Sequence, residues 1–427
     1  MTPKTFVGFG FGPIQSALFL YEAFRSGNFS RLVIAEVDAG LVQAIRDAGG
    51  RYTINIALPD RIEQATVSGV EVFNPNVPED RRQILEALAE ADEMATALPS
   101  VAFFDRGGEA SVARVLADGF SRRPASRPAI VYAAENHNHA AELLRTSVAA
   151  HCLPAARQDL QFLNTVIGKM SGVLTDPATV DRLNLATMTP AMPKAVLVEE
   201  FNRILISKIT LPGFERGIEV FVEKPDLLPF EEAKLYGHNA IHALIGYLAA
   251  LRGLTSMSDA AAHPDLMATA RAAFLDESGA ALIRRHGALG DPLFTPDGYA
   301  RYADELLARM VRPTLNDLIE RVTRDPVRKL GYEDRLFGTM RLALSEGIRP
   351  TNLARGAAAA VLSLLAQWEA LGVAVAQLPR PATPLSRDAL DPLLRSLWPT
   401  PVGPEAADLI DLTWTALPPS VGSHLYY

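Results

Sequence analysis

Apolar and polar positions follow two different rhythms along the chain. In the first half, short unbroken apolar runs stand between stretches of helical period. Residues 5–10, 31–36 and 128–133 read as buried strands, and residues 14–25, 41–48, 79–95 and 111–120 as helices. Continuous apolar strands separated by helices predict βαβ units and a parallel sheet buried on both faces. After about residue 220 the β-branched runs thin out. Residues 229–252, 260–278, 297–309, 315–324, 335–346 and 355–371 all carry helical period, and 379–427 is a Pro-rich stretch of short helical pieces. The expected architecture is α/β over residues 1–219, followed by a mostly α-helical domain over 220–427. Residues 195–209 are open to assignment to the first sheet.

The first strand runs into F-V-G-F-G-F-G-P-I-Q, with Gly8, Gly10 and Gly12 before a helix. Glycine in such a turn lets the backbone bend sharply and approach a pyrophosphate, so that N–H groups at the helix start reach phosphate oxygens. A strict G-x-G-x-x-G is not met: Gln15 stands at the third position counted from Gly10, and Pro13 counted from Gly8. Alone, the run fits a Gly-rich turn in a buried hairpin equally well. The second strand, R-L-V-I-A-E-V-D, adds Glu36 at its end, placed to accept hydrogen bonds from adenosine ribose hydroxyls and to repel a 2′-phosphate. Together these features predict a Rossmann-type N-terminal domain that binds NAD rather than NADP, with Asp38 as the alternative contact.

Composition narrows the remaining classes. The net charge of −8, from 41 basic and 49 acidic residues among 427, argues against a nucleic-acid backbone binder. The single cysteine, Cys152, excludes an intramolecular disulfide and a Cys-based zinc cluster. No apolar stretch approaches the ~20 residues of a membrane helix, and the N-terminus has no signal-peptide pattern. The expectation is a soluble cytoplasmic protein with no membrane or nucleic-acid partner; its oligomeric state is left open.

The densest candidate chemistry lies at 230–247, F-E-E-A-K-L-Y-G-H-N-A-I-H-A-L-I-G-Y. On an α-helical wheel with Lys234 at the origin, His238 falls at about 40°, His242 at about 80° and Asn239 at about 140°. A lysine to accept a proton, with an amide and an imidazole to hold an oxygen, would share one broad face. An ordinary helix with its polar side in water fits the same spacing. Gly237 and Gly246 argue mildly against that, since each costs about 1 kcal/mol against alanine in a helix interior. A close neighbour is expected at each.

The array K-x4-N-x2-H formed by Lys234, Asn239 and His242 resembles the signature of the polyol-specific long-chain dehydrogenases/reductases, among them mannitol dehydrogenases and mannitol-1-phosphate 5-dehydrogenases. Further blocks are similar in the same order: FGFGPI at the start, AEVD after the second strand, DEMATALP at 92–99, YAAENHNH at 132–139 and RDPVRKLGYEDRL at 324–336. They span about 330 residues, and chain length and block spacing lie closer to the mannitol-1-phosphate branch.

The resemblance implies a Rossmann-type domain and a helical domain with the active site between them. It also implies metal-independent hydride transfer between NAD and a secondary alcohol of a polyol or sugar phosphate. Lys234 would be the general base in oxidation and the general acid in reduction, its pKa lowered by desolvation and by the nicotinamide's charge. Asn239 and Asn136 would hydrogen-bond the reacting oxygen, and His242 would orient it or a neighbouring hydroxyl. Gly8, Gly10, Gly12, Pro13, Ile14, Glu36, Thr96, Ala97 and Glu135 would line the cofactor. His137, Asn138 and His139 read as a solvated loop, and His238 as a polar neighbour.

Substrate class turns on anion-binding side chains. Arg321, Arg324, Arg328, Lys329 and Arg335 are the densest basic cluster, facing either a substrate phosphate or carboxylate or the carboxylates Asp325, Glu333 and Asp334. A uronate reductase of the same family, and an NAD-binding protein without turnover, are the alternatives.

Overall fold

A computed structural model of the chain describes residues 4–418 apart from 152–156, 202, 383 and 399–400. Cys152 lies outside the described residues. The chain divides into two units, Met1–Leu228 and Pro229–Tyr427.

Among its described residues the first unit holds twelve strands: β1 (Lys4–Phe9), β2 (Phe29–Ala35), β3 (Tyr52–Ala57), β4 (Ile62–Val67), β5 (Val70–Phe73), β6 (Glu93–Thr96), β7 (Ala129–Ala133), β8 (Leu160–Val166), β9 (Ser171–Leu174), β10 (Ala195–Glu199), β11 (Leu205–Ser207) and β12 (Val222–Lys224). Eight form one sheet in the order β12-β11-β8-β7-β6-β1-β2-β5. The run from β5 to β8 is parallel throughout. Counted in order of appearance within that run, its strands lie 3-2-1-4-5-6, the doubly wound order of dinucleotide-binding folds. Side chains alternate between two cores on opposite faces. Phe6, Ile34, Ile130 and Tyr132 enter one, and Val7, Val33, Val131 and Ala133 the other. Burial on both faces is why these strands read as unbroken apolar runs.

Several elements escape the sequence pattern. The helix expected over 79–95 is Pro78–Glu90, and the residues after it are strand β6. Glu93 on β6 is fully buried, accepting from Tyr132 Oη at 2.8 Å and from the Gly217 N–H. The hairpin β3–β4 was also unmarked. With β10 and β9 it forms a second sheet, β4-β3-β10-β9, so residues 195–199 belong there and not to the first sheet. Buried Asn55 joins that sheet to the next segment: its amide donates to Ala186 O (2.8 Å) and Val196 O (3.0 Å) and accepts from Ala186 N (2.8 Å).

The second unit is helical among its described residues. At its centre, Ala240–Ala250 buries eight of its eleven residues, so it is a core helix rather than a surface one. It packs on Thr351–Ala366, where Gly356 lets the backbone approach Leu244, and on the short helix Ile319–Thr323. The N-terminus of Thr351–Ala366 is capped from a distance. Buried Glu277 accepts from the backbone N–H groups of Asn352 (2.7 Å) and Leu353 (2.8 Å), where negative charge meets the positive end of the helix dipole. No single described helix is long and apolar enough to cross a membrane.

Candidate active site

In the first unit the glycine turn lies at the C-terminal end of β1, beside β6, where the strand order reverses and ligands of such sheets bind. Gly10 adopts φ +82°, open to glycine at little cost, and a Cβ there would lie 3.1 Å from Ala97 O. Gly12 is exposed, and a Cβ there would meet nothing within 4 Å. The turn therefore bends at Gly10 and leaves open space at Gly12. Pro13 and Ile14 form the first helical positions, ahead of the π turn Gln15–Phe19 that continues as the helix Leu20–Ser26. Gln15 fills the space over Gly8 that a third glycine would leave, and its amide is buried with no hydrogen-bond partner for either polar atom.

The structure separates the two carboxylates after β2. Asp38 caps the helix Ala39–Asp47, accepting from Gly40 N at 3.0 Å and Leu41 N at 3.1 Å. Glu36 accepts one bond, from Asp38 N at 2.9 Å, and stays partly exposed. Thr96 ends β6 and Ala97 follows it. Buried Glu135, after β7, accepts from Thr96 Oγ1 and Leu98 N, both at 2.9 Å, and fixes this rim. Burial pushes its carboxyl above the usual range, against the Leu98 N–H. Asn136, expected to meet the reacting oxygen, is exposed beyond it, and so are His137 and His139 in the segment read as a solvated loop.

The second unit carries Lys234, Asn239 and His242. The helix is not uniform: α-helical Leu228–Glu232 passes into a π turn, Ala233–Asn239, before Ala240–Ala250. In a π turn the backbone bonds from residue to fifth residue, so positions five apart become stacked neighbours. Lys234 and Asn239 are five apart. The 140° separation on the α-helical wheel is therefore corrected by the π turn, which brings the two toward one line. The surrounding unit holds the turn in place. Ser278 Oγ donates to Tyr236 O at 2.8 Å, and Thr339 Oγ1 lies 3.3 Å from the same oxygen. The neighbours expected at the glycines are present. A Cβ on Gly237 would lie 2.8 Å from Tyr299 Oη, and Gly246 abuts Val322.

Lys234 is half-buried. Desolvation pushes its ammonium down from 10.5 to about 8, with Arg335 acting the same way and Glu231 opposing. His238 is buried. Desolvation first, then His242 and nearby cations, hold it well below 6.5, so it is a neutral core histidine. His242 Nε2 lies 2.8 Å from Asp317 Oδ2, whose other oxygen accepts from Arg321 Nε (2.9 Å) and Nη2 (2.7 Å). Asp317 has no local sequence signal, since it stands 75 residues from the ring it meets.

Most of the basic cluster is engaged. Arg321 binds Asp317, Arg328 binds Asp325 and Asp334, and Arg335 binds Asp334. Lys329 is buried and donates to Val322 O (2.6 Å) and to Arg324 O; burial pushes it down to about 7. Exposed Arg324 makes no ion pair among the described residues. Among those residues, no group of three or more His, Cys, Asp or Glu side chains is placed to hold a metal ion.

Comparison with known proteins sets first the fold and then the family. A solved D-sorbitol dehydrogenase superposes with a TM-score of 0.71 at 14% identity, over 97% of this chain and 92% of that one. The mannitol 2-dehydrogenase of Pseudomonas fluorescens, solved with NAD and D-mannitol, gives 0.70 at 15% identity, over 97% and 91%. The fold is thus that of the mannitol dehydrogenases, with a Rossmann-type N-terminal domain and a helical C-terminal domain. Residues 226–370 match the family model of the mannitol dehydrogenase C-terminal domain. The mannitol-1-phosphate 5-dehydrogenase of Shouchella clausii is 30% identical over 351 residues, covering 78% of this chain and 85% of the relative. That of Bacillus licheniformis is 29% identical over 333 residues, covering 77% and 80%. The chain belongs to the mannitol dehydrogenase family of oxidoreductases.

Proposed function

We propose that the protein is an NAD-dependent dehydrogenase that interconverts a secondary alcohol of a polyol or polyol phosphate and the corresponding ketose, with Lys234 as the proton-transfer group and no metal. The observation that carries this reading is the π turn Ala233–Asn239, which holds both Asn239 and a lysine whose pKa is lowered to about 8. The names of the relatives support the substrate class, and their phosphate favours a polyol phosphate.

The glycine turn fits a dinucleotide: Gly10 supplies the bend and Gly12 the open approach for a pyrophosphate. Gly10, Gly12, Pro13 and Ile14 would hold the phosphates at the helix start, Glu36 the ribose hydroxyls, and Thr96 and Ala97 the rim. Gly8 and Glu135 act from behind, Gly8 by admitting Gln15 and Glu135 by fixing Thr96 and Leu98. Bound NAD supplies the hydride acceptor. Lys234 in its neutral form takes the hydroxyl proton during oxidation and returns it during reduction. The amide of Asn239 donates to the reacting oxygen as negative charge develops on it. Because lysine performs the proton transfer, the scheme needs no Lewis acid. Within the basic cluster, Arg324 is the side chain left for a substrate anion.

The test is a panel of mannitol 1-phosphate, mannitol and a hexuronate, each with NAD and NADP, followed at 340 nm. NADH formation with a polyol or its phosphate is expected. Turnover confined to the uronate would move the protein to the sugar-acid branch, and no turnover at all would refute the assignment.

A further inference from the structure

Asp317 is held more firmly than a surface carboxylate. It follows Asn316, which adopts φ +47°, and precedes the helix Ile319–Thr323. Its backbone is tied to the strand-like segment around Ser256: Met257 N donates to Asp317 O at 2.8 Å, and Ile319 N to Thr255 O at 3.0 Å. Its side chain is 4% exposed. Both carboxylate oxygens are assigned. Oδ1 takes two bonds from Arg321, and Oδ2 faces His242 Nε2 at 2.8 Å. Burial would raise this carboxyl, but His242 and Arg321 outweigh burial and hold it below 3.8, so it is an anion at neutral pH. An anionic oxygen at that distance requires a proton on Nε2. A ring that carries only that proton has its one lone pair on Nδ1.

We propose that Asp317 is a positioning residue that locks His242 in the Nε2–H tautomer, so that Nδ1 recognises a substrate hydroxyl by accepting its proton. The inference rests on the proposed reading of His242 as a substrate contact and sharpens its substrate class. An acceptor nitrogen binds an alcohol O–H and is repelled by the lone pairs of a carbonyl or carboxylate oxygen. At the position His242 reads, the site therefore selects a polyol hydroxyl over the oxygen of a sugar acid. Arg321 serves the same end. By holding Oδ1 with two bonds, it fixes the carboxylate rotation, so that Oδ2 and no other atom meets the ring.

The replacement Asp317→Asn makes the lock testable. Arg321 needs an oxygen, so the amide oxygen stays on Arg321 and the amide nitrogen turns to His242. Nε2 must then accept, and the proton moves to Nδ1. A wrong-tautomer histidine of this kind costs about 10⁴ in kcat in a serine protease, where the histidine itself transfers the proton. Here it only orients substrate, so a 10- to 100-fold loss of kcat/KM for the polyol substrate is expected, with unchanged affinity for NAD. Nitrogen-15 spectra of histidine-labelled protein at pH 8 report the tautomer directly, with the His242 signals identified by their loss in His242→Gln. The expected result is protonated Nε2 and bare Nδ1 in the wild type, and the reverse in Asp317→Asn.

A wild-type ring protonated on Nδ1 overturns the proposal even if the variant fails to fold. So does an Asp317→Asn protein that keeps the Nε2–H tautomer and wild-type kcat/KM. The tautomer is read without turnover, so failure of the lock is distinguishable from failure of the functional reading, which would instead leave His242→Gln fully active.

Discussion

The acid–base assignment makes a quantitative prediction about pH. At a pKa of 10.5, about one lysine in 3,000 is neutral at pH 7; at the value of about 8 set mainly by burial, about one in ten is. The helical unit thus raises the concentration of the active base roughly 300-fold, equivalent to about 3 kcal/mol. Alcohol oxidation needs neutral Lys234. Its kcat should rise about tenfold from pH 6 to 7, bend near pH 8 and level off above pH 9. Ketose reduction needs the ammonium and should fall through the same inflection. Arg335 is the second cause of the lowered value, so Arg335→Gln should move the inflection to higher pH whatever it does to the maximal rate. The assay is initial NADH formation or consumption at 340 nm, with saturating cofactor and substrate, from pH 6 to 10 at constant ionic strength. A flat oxidation profile across that range, or an inflection that stays in place in Arg335→Gln and persists in Lys234→Ala, would refute the reasoning.

Three further outcomes follow from the same structure. Wild type should prefer NAD to NADP by at least tenfold in kcat/KM, about 1.4 kcal/mol, and Glu36→Ser or Glu36→Arg should relax or reverse this; equal use of NADP by wild type would remove Glu36 from the ribose site. Overnight EDTA and desalting should leave turnover intact, whereas loss restored specifically by zinc would show that the reaction depends on a metal. Gln15→Met keeps the shape over Gly8 and removes an unpartnered buried amide, a group that costs about 1–3 kcal/mol; the urea midpoint should rise, and a lowered one would mean that the amide is hydrogen-bonded in solution.

How much of this was legible in the sequence depends on how local each signal is. The strands at 4–9, 29–35 and 129–133 are buried on both faces and were readable as apolar runs. Strand β6 was not, because Glu93 interrupts it and Tyr132, which accounts for the burial of that carboxyl, lies on another strand. The hairpin β3–β4 has polar residues on an exposed face and inserts where the βαβ rhythm predicts a simple crossover. Lys234, Asn239 and His242 were singled out by the resemblance of K-x4-N-x2-H, their spacing alone fitting an ordinary polar face, and a wheel with one fixed pitch could not show the π turn. That turn is supported by Ser278 and Thr339, both far along the chain from Tyr236. Asp317 was invisible for the same reason. The helix cap that engages Asp38, the alternative to Glu36, was likewise not legible in the sequence.

In the proposed reaction Lys234 carries the proton transfer while the first unit binds the cofactor. The most direct measurement is Lys234→Ala, compared with wild type for NAD affinity by fluorescence titration and for kcat of polyol oxidation at pH 8. The expected result is NAD affinity within about threefold of wild type and a kcat reduced 10²- to 10⁴-fold, the usual loss for a positioned acid–base group. A variant with near-normal kcat would contradict it.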